Sequence, residues 1–308
     1  MIKTRWAKGV GSTSVAGLFL TIWLVFGYCV AAWAGNSINS SVTTGANSSS
    51  GVAGGKSQGF QVFDGTLYKD KPDLSIYGLK PITIIYGENF WKHKSQMDHL
   101  PAEHRAIRLA RETASTSKIV CIDIENWPVR GDDATVSDSV RKYAQLMQWF
   151  HDTAPHVQHG YYGVLPVGSY WRAIAPRTSP AFQTWQADNA RLQPIAATAD
   201  VVFPSLYTYY PDREAWVKFA IRQIRAAKKY GKPVYPFLWP QFHDSNWRLG
   251  GQYIPASYWK LELETVRTYA DGVVIWGGWD LKHDRPAKWN NKAPWWQVTK
   301  EFMKQVTQ

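Results

Sequence analysis

The chain has 308 residues, 45% hydrophobic and 19% charged, with a formal net charge of +11. That suits one large globular domain with an appendage. Two cysteines rule out a disulfide-stapled scaffold, and no compact basic run points to nucleic acid, since Arg222, Arg225, Lys228 and Lys229 read as the solvated face of a helix.

Residues 1–34 read as an export signal. Lys3, Arg5 and Lys8 form a positive start, Val15 to Ala32 is apolar, and Ala32-Trp33-Ala34 is an A-x-A cleavage pattern before Gly35. An uncleaved anchor is the alternative, because the apolar run is about long enough to span a bilayer. Either way the rest of the chain is expected outside the cytoplasm, secreted or periplasmic, and free of the membrane once the signal is cut. Loss of the three cations lowers the formal charge from +11 to +8. A basic exported protein fits an anionic polymer such as an acidic polysaccharide. Cys29 leaves with the signal and Cys121 stands alone, so no intrachain disulfide is expected; about 250 residues suffice for an ordinary core. Residues 35–59 are Gly, Ser, Asn and Thr and read as a flexible linker. The globular part is 60–308, expected to act as a monomer.

From Phe60 apolar runs alternate with helical patterns. The runs are Phe60–Phe63, Ile82–Tyr86, Ile119–Ile124, Gly160–Leu165, Val201–Tyr207, Val234–Trp239 and Gly272–Trp276. Helices are predicted over 101–114, 133–151, 213–230, 257–270 and 294–306, the third closed by Gly231. The interval 64–81 is too short for a good helix. Apolar strands alternating with helices imply an α/β fold with parallel pairing, covered by helices. The pattern predicts a TIM-like (β/α) barrel with about seven parallel strands. A doubly wound sheet is the alternative, but no G-x-G-x-x-G follows any run.

The chain is organised around Ile119-Val120-Cys121-Ile122-Asp123-Ile124-Glu125-Asn126-Trp127-Pro128. Strand side chains alternate, so Asp123 and Glu125 face the same way, their Cα atoms about 6.5–7 Å apart. Burial and mutual repulsion raise the pKa of at least one of them, which is how a carboxyl group stays protonated and serves as a general acid. Pairing of both acids with basic neighbours is the bland alternative. The other strand ends offer Asp64, Glu88, Asn89, Tyr162, Tyr207, Tyr209, Trp239, Gln241, Trp276 and Asp280. Trp127, Trp239 and Trp276 are candidates for a surface on which sugar rings stack. No Ser or Cys nucleophile stands beside a His, and the eight histidines show no H-E-x-x-H or close ligand spacing, so neither a metal site nor a cofactor is expected.

These residues resemble the hyaluronidases of animals and venoms, a glycoside hydrolase family with a seven-stranded (β/α) barrel. The resemblance rests on Ile122-Asp123-Ile124-Glu125-Asn126-Trp127, Gly160-Tyr161-Tyr162-Gly163, Asp200-Val201-Val202-Phe203-Pro204-Ser205-Leu206-Tyr207 and Asp271-Gly272-Val273-Val274-Ile275-Trp276-Gly277, in the family's order; Phe60-Gln61-Val62-Phe63 matches weakly. It implies that Glu125 is the proton donor and that Asp123 orients and polarises an acetamido group. It further implies that Tyr162 and Tyr207 hydrogen-bond around that group, and that Trp276 packs on its methyl. The family's disulfides are missing, Pro128 and Val129 replace a basic residue after the Trp, and the first loop is shorter. These departures bear on which polymer is cut more than on the chemistry.

Two close carboxyls leave little room for a separate water, which disfavours inversion. No further acid is marked by its spacing as a nucleophile. If Asp123 holds an acetamido group, as the resemblance implies, a retaining route in which the substrate's acetamide oxygen attacks is expected, a known exception to the two-carboxylate scheme. The rivals are a chitinase- or muramidase-like barrel and a glycan-binding barrel without catalysis; the presence of both acids argues against the last.

Overall fold

A computed structural model describes residues 59–306. The expected export signal and all but the last residue of the expected linker lie outside the described residues. Among the described residues, no helix is long and apolar enough to cross a membrane.

The strands are β1 Gln61–Thr66, β2 Lys80–Pro81, β3 Thr83–Tyr86, β4 Ile119–Asp123, β5 Gln158–Tyr161, β6 Phe237–Leu238 and β7 Gly272–Gly277. β1 pairs in parallel with β2 on one side and β7 on the other, and β7 pairs with β6. β3, β4 and β5 form a second parallel ladder. Only Ile82 separates β2 from β3, so together they make one stave that joins the two ladders. The remaining gap is closed by residues 202–208, through the parallel bridges Tyr162↔Phe203, Val202↔Val234 and Ser205↔Phe237. The result is a closed (β/α) barrel of seven staves in chain order, as the alternation of runs predicts.

Prolines explain why one side is bridged rather than laddered. Pro204, Pro233 and Pro236 have no N–H to donate. Their carbonyls still accept, from Phe237 N (2.8 Å), Val202 N (2.9 Å) and Val274 N (2.9 Å) respectively. The wall therefore holds without regular strand geometry there.

Both faces of the wall are apolar, and the two-residue period sorts them. Ile119, Cys121, Val201, Phe203, Tyr235, Phe237 and Val274 fill the barrel interior. Their neighbours Val120, Ile122, Ile124, Val202, Val234, Leu238, Val273 and Ile275 pack outward into the larger core beneath the helices. Gly160 stands opposite Cys121 in the register. A Cβ there would run into the Val201 carbonyl and come within 3.0 Å of the Phe203 ring. Its missing side chain lets Phe203 fill the centre.

The outer ring contains α1 Glu103–Ala114, α2 Asp133–Thr153, α6 Arg213–Lys228, α7 Ala256–Tyr269 and α8 Pro294–Val306, close to the predicted spans. Asp132 and Asp212 cap α2 and α6 by accepting from Thr135 N and Ala215 N. After α6 the chain turns at Gly231, with φ +71°. Three helices were not predicted: α3 Tyr170–Ile174, α4 Pro180–Arg191 and α5 Gln193–Thr198. Pro176, Pro180 and Pro194 break any long apolar period there, although Ser179 before Pro180 is a ready cap for α4. The 64–80 connection holds a single 3-10 turn, Leu74–Tyr77. Cys121, the one cysteine among the described residues, is a buried free thiol inside the barrel.

Candidate active site

The interior changes character at the carboxyl ends of the staves. Below, it is filled by Ile, Val and Phe. Above, Tyr86, Asp123, Tyr162, Ser205, Tyr207, Trp239 and Trp276 converge. Tyr86 and Asp123 are register partners, so they sit at one height. The Tyr162 hydroxyl donates to Ser205 Oγ at 3.0 Å. Trp276 Nε1 donates to the Tyr86 hydroxyl at 3.2 Å, and Trp239 Nε1 to Gln241 Oε1 at 2.9 Å. The Tyr207 ring lies 5.8 Å from those of Tyr162 and Trp276 and 5.5 Å from Trp239. Trp239 and Trp276 meet nearly edge-on, centroids 5.0 Å apart.

Asp123 closes β4. Its Oδ1 is buried without a hydrogen-bond partner. Burial pushes its pKa well above the usual carboxylate range, and the nearby Glu125 carboxylate pushes it further. Glu125 lies two residues past the strand and reaches solvent at the mouth. Its pKa is also raised, first by the protein crowding around it and then by the Asp244 carboxylate. Two acids held toward their protonated forms are the state a proton donor requires.

The backbone between them is clamped from outside. The Tyr143 hydroxyl, on α2, donates to the Ile124 carbonyl at 2.8 Å, and the Tyr161 hydroxyl donates to the Tyr143 carbonyl at 2.8 Å. All of these groups are buried, so the clamp resists exchange with water.

Six of the seven residues singled out from sequence meet here: Asp123, Glu125, Tyr162, Tyr207, Trp239 and Trp276. Trp127 does not. It points into the layer between wall and helices, 2% exposed, against Tyr143 (4.8 Å) and Trp91 (5.9 Å), and its Nε1 donates to the Met97 carbonyl at 3.0 Å. The chain leaves the strand after Asp123, so its parity no longer carries to residue 127. The expectation that Trp127 contacts a ligand is corrected: it is a core residue. Asp64 and Asp280 also stand apart, Asp64 paired with Lys71 (2.7 Å) and Asp280 with His283 (2.7 Å).

Sequence reasoning missed four mouth residues. Tyr86 ends a predicted strand but was not weighed as a ligand contact. Ser205 was noted only as part of a matching segment. His243 and Asp244 come from the loop after Trp239, whose antiparallel bridge Gln241↔Tyr253 turns it back over the mouth. The His243 ring lies tilted against those of Tyr209 (4.7 Å) and Tyr207 (5.9 Å). Its Nδ1 accepts from Ser245 N (3.1 Å) and lies 3.1 Å from Asp244 Oδ1. Burial lowers the His243 pKa despite that carboxylate. The ring is therefore neutral near pH 7, and the contact is not an ion pair.

Among the described residues the mouth gathers no His, Cys or carboxylate set with metal-ligand spacing. The groups present are proton donors, hydroxyls and flat apolar rings, a set suited to binding a polyhydroxylated ring and moving a proton.

No protein-family model matches the chain, and no curated protein matches it. Solved structures do resemble it. The bee venom hyaluronidase crystal structure superposes with a TM-score of 0.55 over 71% of this chain and 91% of that one, at 14% identity. The same venom protein in complex with a hyaluronic acid tetramer gives 0.53, over 71% and 90%, also at 14% identity. An endo-beta-1,4-mannanase from Thermotoga petrophila is further off, with a TM-score of 0.49 at 14% identity, over 74% and 58%. The likeness to the venom protein is one of fold: a (β/α) barrel.

Proposed function

We propose that the chain is a glycoside hydrolase that cleaves N-acetylhexosamine-containing polysaccharide with retention, using the substrate's own acetamido group. The observation that carries this reading is the Asp123–Glu125 pair, both raised in pKa, beneath a rim of Tyr162, Tyr207, Trp239 and Trp276. Protonated Glu125 gives its proton to the glycosidic oxygen as that bond to the anomeric carbon breaks. The acetamide carbonyl oxygen supplies the electron pair that forms the new bond, giving an oxazolinium-like ring. Asp123, whose Oδ1 is buried and unpartnered, accepts a hydrogen bond from the acetamide N–H and so aims the carbonyl oxygen at the anomeric carbon. Glu125, now a carboxylate, draws a proton from water as the water opens the ring. Tyr162 and Tyr207 bind the sugar's polar groups, and Trp276 packs on the acetamido methyl.

The formal charge of +8 left once Lys3, Arg5 and Lys8 are cut away supports an acidic glycan, as does a cleft past the ends of β1 and β7, where Lys69, Arg285 and Lys288 outnumber Asp70 and Asp280. Likeness of fold to a protein named a hyaluronidase agrees with that choice. The reading includes export by residues 1–34 and action as a monomer; N-terminal sequencing of the exported protein should begin at Gly35.

A second reading has one observation in its favour. Asp244 is close enough to raise Glu125, so it offers the separate base that an inverting hydrolase needs. The anomer first released separates the two. Incubation with hyaluronan, chondroitin, chitin, peptidoglycan and their de-acetylated forms, followed by mass spectrometry and NMR, should show new reducing ends, the retained anomer and loss of turnover without the acetyl group even at saturating substrate. Equal turnover on de-acetylated polymer, or the inverted anomer, rules out the assisted route.

A further inference from the structure

The opposite end of the barrel holds a second cluster, which the proposed chemistry does not use. His151 comes from the last turn of α2, His159 from the start of β5, and Asp200 from the residue before the next stave. The three elements are already fixed to one another by the main chain: Asp200 N donates to the His159 carbonyl at 2.9 Å. Asp200 Oδ2 accepts from His159 N (2.9 Å) and lies 2.8 Å from His151 Nε2.

His159 is the anomaly. Its side chain is fully buried, and neither ring nitrogen has a hydrogen-bond partner. Its ring meets that of Phe150 in a T-shaped contact, centroids 5.4 Å apart. A buried imidazole normally satisfies both nitrogens, and leaving them bare in the interior is unfavourable. Nδ1, however, points toward Asp200 Oδ2, 3.8 Å away, too far for a hydrogen bond.

One donor atom from each of His151, His159 and Asp200 lies within 4.8 Å of the others. Ligands of tetrahedral zinc, each at about 2.0–2.1 Å from the metal, sit roughly 3.3 Å apart. The observed separations of 2.8 and 3.8 Å lie on either side of that value. Two imidazoles and one carboxylate form a donor set that suits Zn²⁺ and its neighbours rather than Ca²⁺ or Mg²⁺. His151 and Asp200 are partly exposed, which leaves an entry path and a fourth position for water.

We propose that His151, His159 and Asp200 form a binding site for a divalent transition metal, Zn²⁺ or a close relative, which ties the end of α2 to two staves at the amino-terminal end of the barrel. That end of a (β/α) barrel serves stability rather than chemistry, so the metal's role is structural. The site is independent of the glycosidase reading. Its ligands come from three elements, 8 and 41 residues apart along the chain, which is why no motif announced it.

The test uses the untagged full chain stripped by chelator, then titrated with Zn²⁺ by calorimetry and with Co²⁺ by visible absorption. One ion should bind per chain, Co²⁺ should give the strong visible bands of a four-coordinate site, and Tm should rise with bound metal. His151→Ala, at a partly exposed position, should fold and lose at least about tenfold in affinity. Asp200→Asn should lose affinity as well. His283→Ala, on the connection after β7 where the ring pairs with Asp280, should bind as the parent does. Absence of stoichiometric binding, or equal loss of affinity in His283→Ala, or none in both His151→Ala and Asp200→Asn, overturns the proposal.

Discussion

The two faces of the barrel wall place the same residue type in different settings. On the outer face Trp91, Trp127, Trp185 and Trp216 all donate their indole N–H to main-chain carbonyls, those of His99, Met97, Val167 and Leu206. On the inner face Trp239 and Trp276 donate to the side chains of Gln241 and Tyr86. An indole bound to the backbone locks a loop in place. One bound to a side chain at an open mouth has a partner that a ligand can displace or rearrange. Trp259 and Trp296, also packed outside the wall, donate to the side chains of Thr299 and Asn291, so what sets Trp239 and Trp276 apart is their place at the open mouth and not the kind of partner.

The sharpest test of that separation lies within one short stretch. Glu125→Gln keeps the shape of a mouth residue and removes its transferable proton. Turnover should fall by about 10²–10⁴-fold, the usual worth of acid–base catalysis, with Tm nearly unchanged. Near-parental turnover on any polymer that the parent cleaves would sink the assignment. Two residues on, Trp127→Ala should do the reverse. It empties a fully packed site beside Tyr143 and Trp91, at a cost of about 3–5 kcal/mol. Denaturant unfolding should show that loss, while the surviving folded fraction keeps most of its specific activity. A stable Trp127→Ala protein with its affinity for substrate lost would return Trp127 to the mouth.

The fold was legible because its seven runs are apolar on both faces and alternate with helical patterns of period 3.6. Asp123 was legible as the last residue on that inner-facing track, after Ile119 and Cys121. Trp127 was misread because strand parity stops counting where the strand stops. The loop that brings His243 and Asp244 over the mouth could not be read, since its course depends on a bridge between Gln241 and Tyr253 with no local pattern. Helices α3 to α5 went unseen because three prolines interrupt their periodicity.

Asp123 sharpens the comparison through pH. Burial and then Glu125 raise its pKa in the folded protein, whereas in the unfolded chain an Asp ionises near 3.9. Between those two values the native state holds more protons than the unfolded state. Stability must therefore fall as pH rises through that window, beginning at about pH 4. Asp123→Asn removes the buried carboxyl, so its Tm should depend less on pH and exceed the parent's near neutrality, while activity is lost. A parent whose Tm climbs from pH 4 to 7, with no difference in slope from Asp123→Asn, would show that the carboxyl is not held protonated.

The smallest effect is expected where the inner aromatic track runs out to solvent. Trp171, on α3, is 63% exposed, and its ring lies 5.1 Å from those of Tyr170 and Tyr210. Tyr210 continues to Tyr209 (6.5 Å), Tyr209 to His243 (4.7 Å) and His243 to Tyr207 (5.9 Å), so ring contacts lead from the surface to the centre of the mouth. A large flat ring left bare beside such a track fits a sugar unit several residues from the cleaved bond. Contact there binds ground state and transition state alike, so it should act on KM and leave kcat nearly untouched. Trp171→Ala should raise KM for long polymers about two- to tenfold, from roughly 0.5–1.5 kcal/mol of aromatic contact. Oligomers too short to reach from the mouth to Trp171 should be cut as the parent cuts them. An equal rise in KM for short and long substrates would mean that the substitution acts through α3 packing, and a fall in kcat would place Trp171 within the reacting subsite.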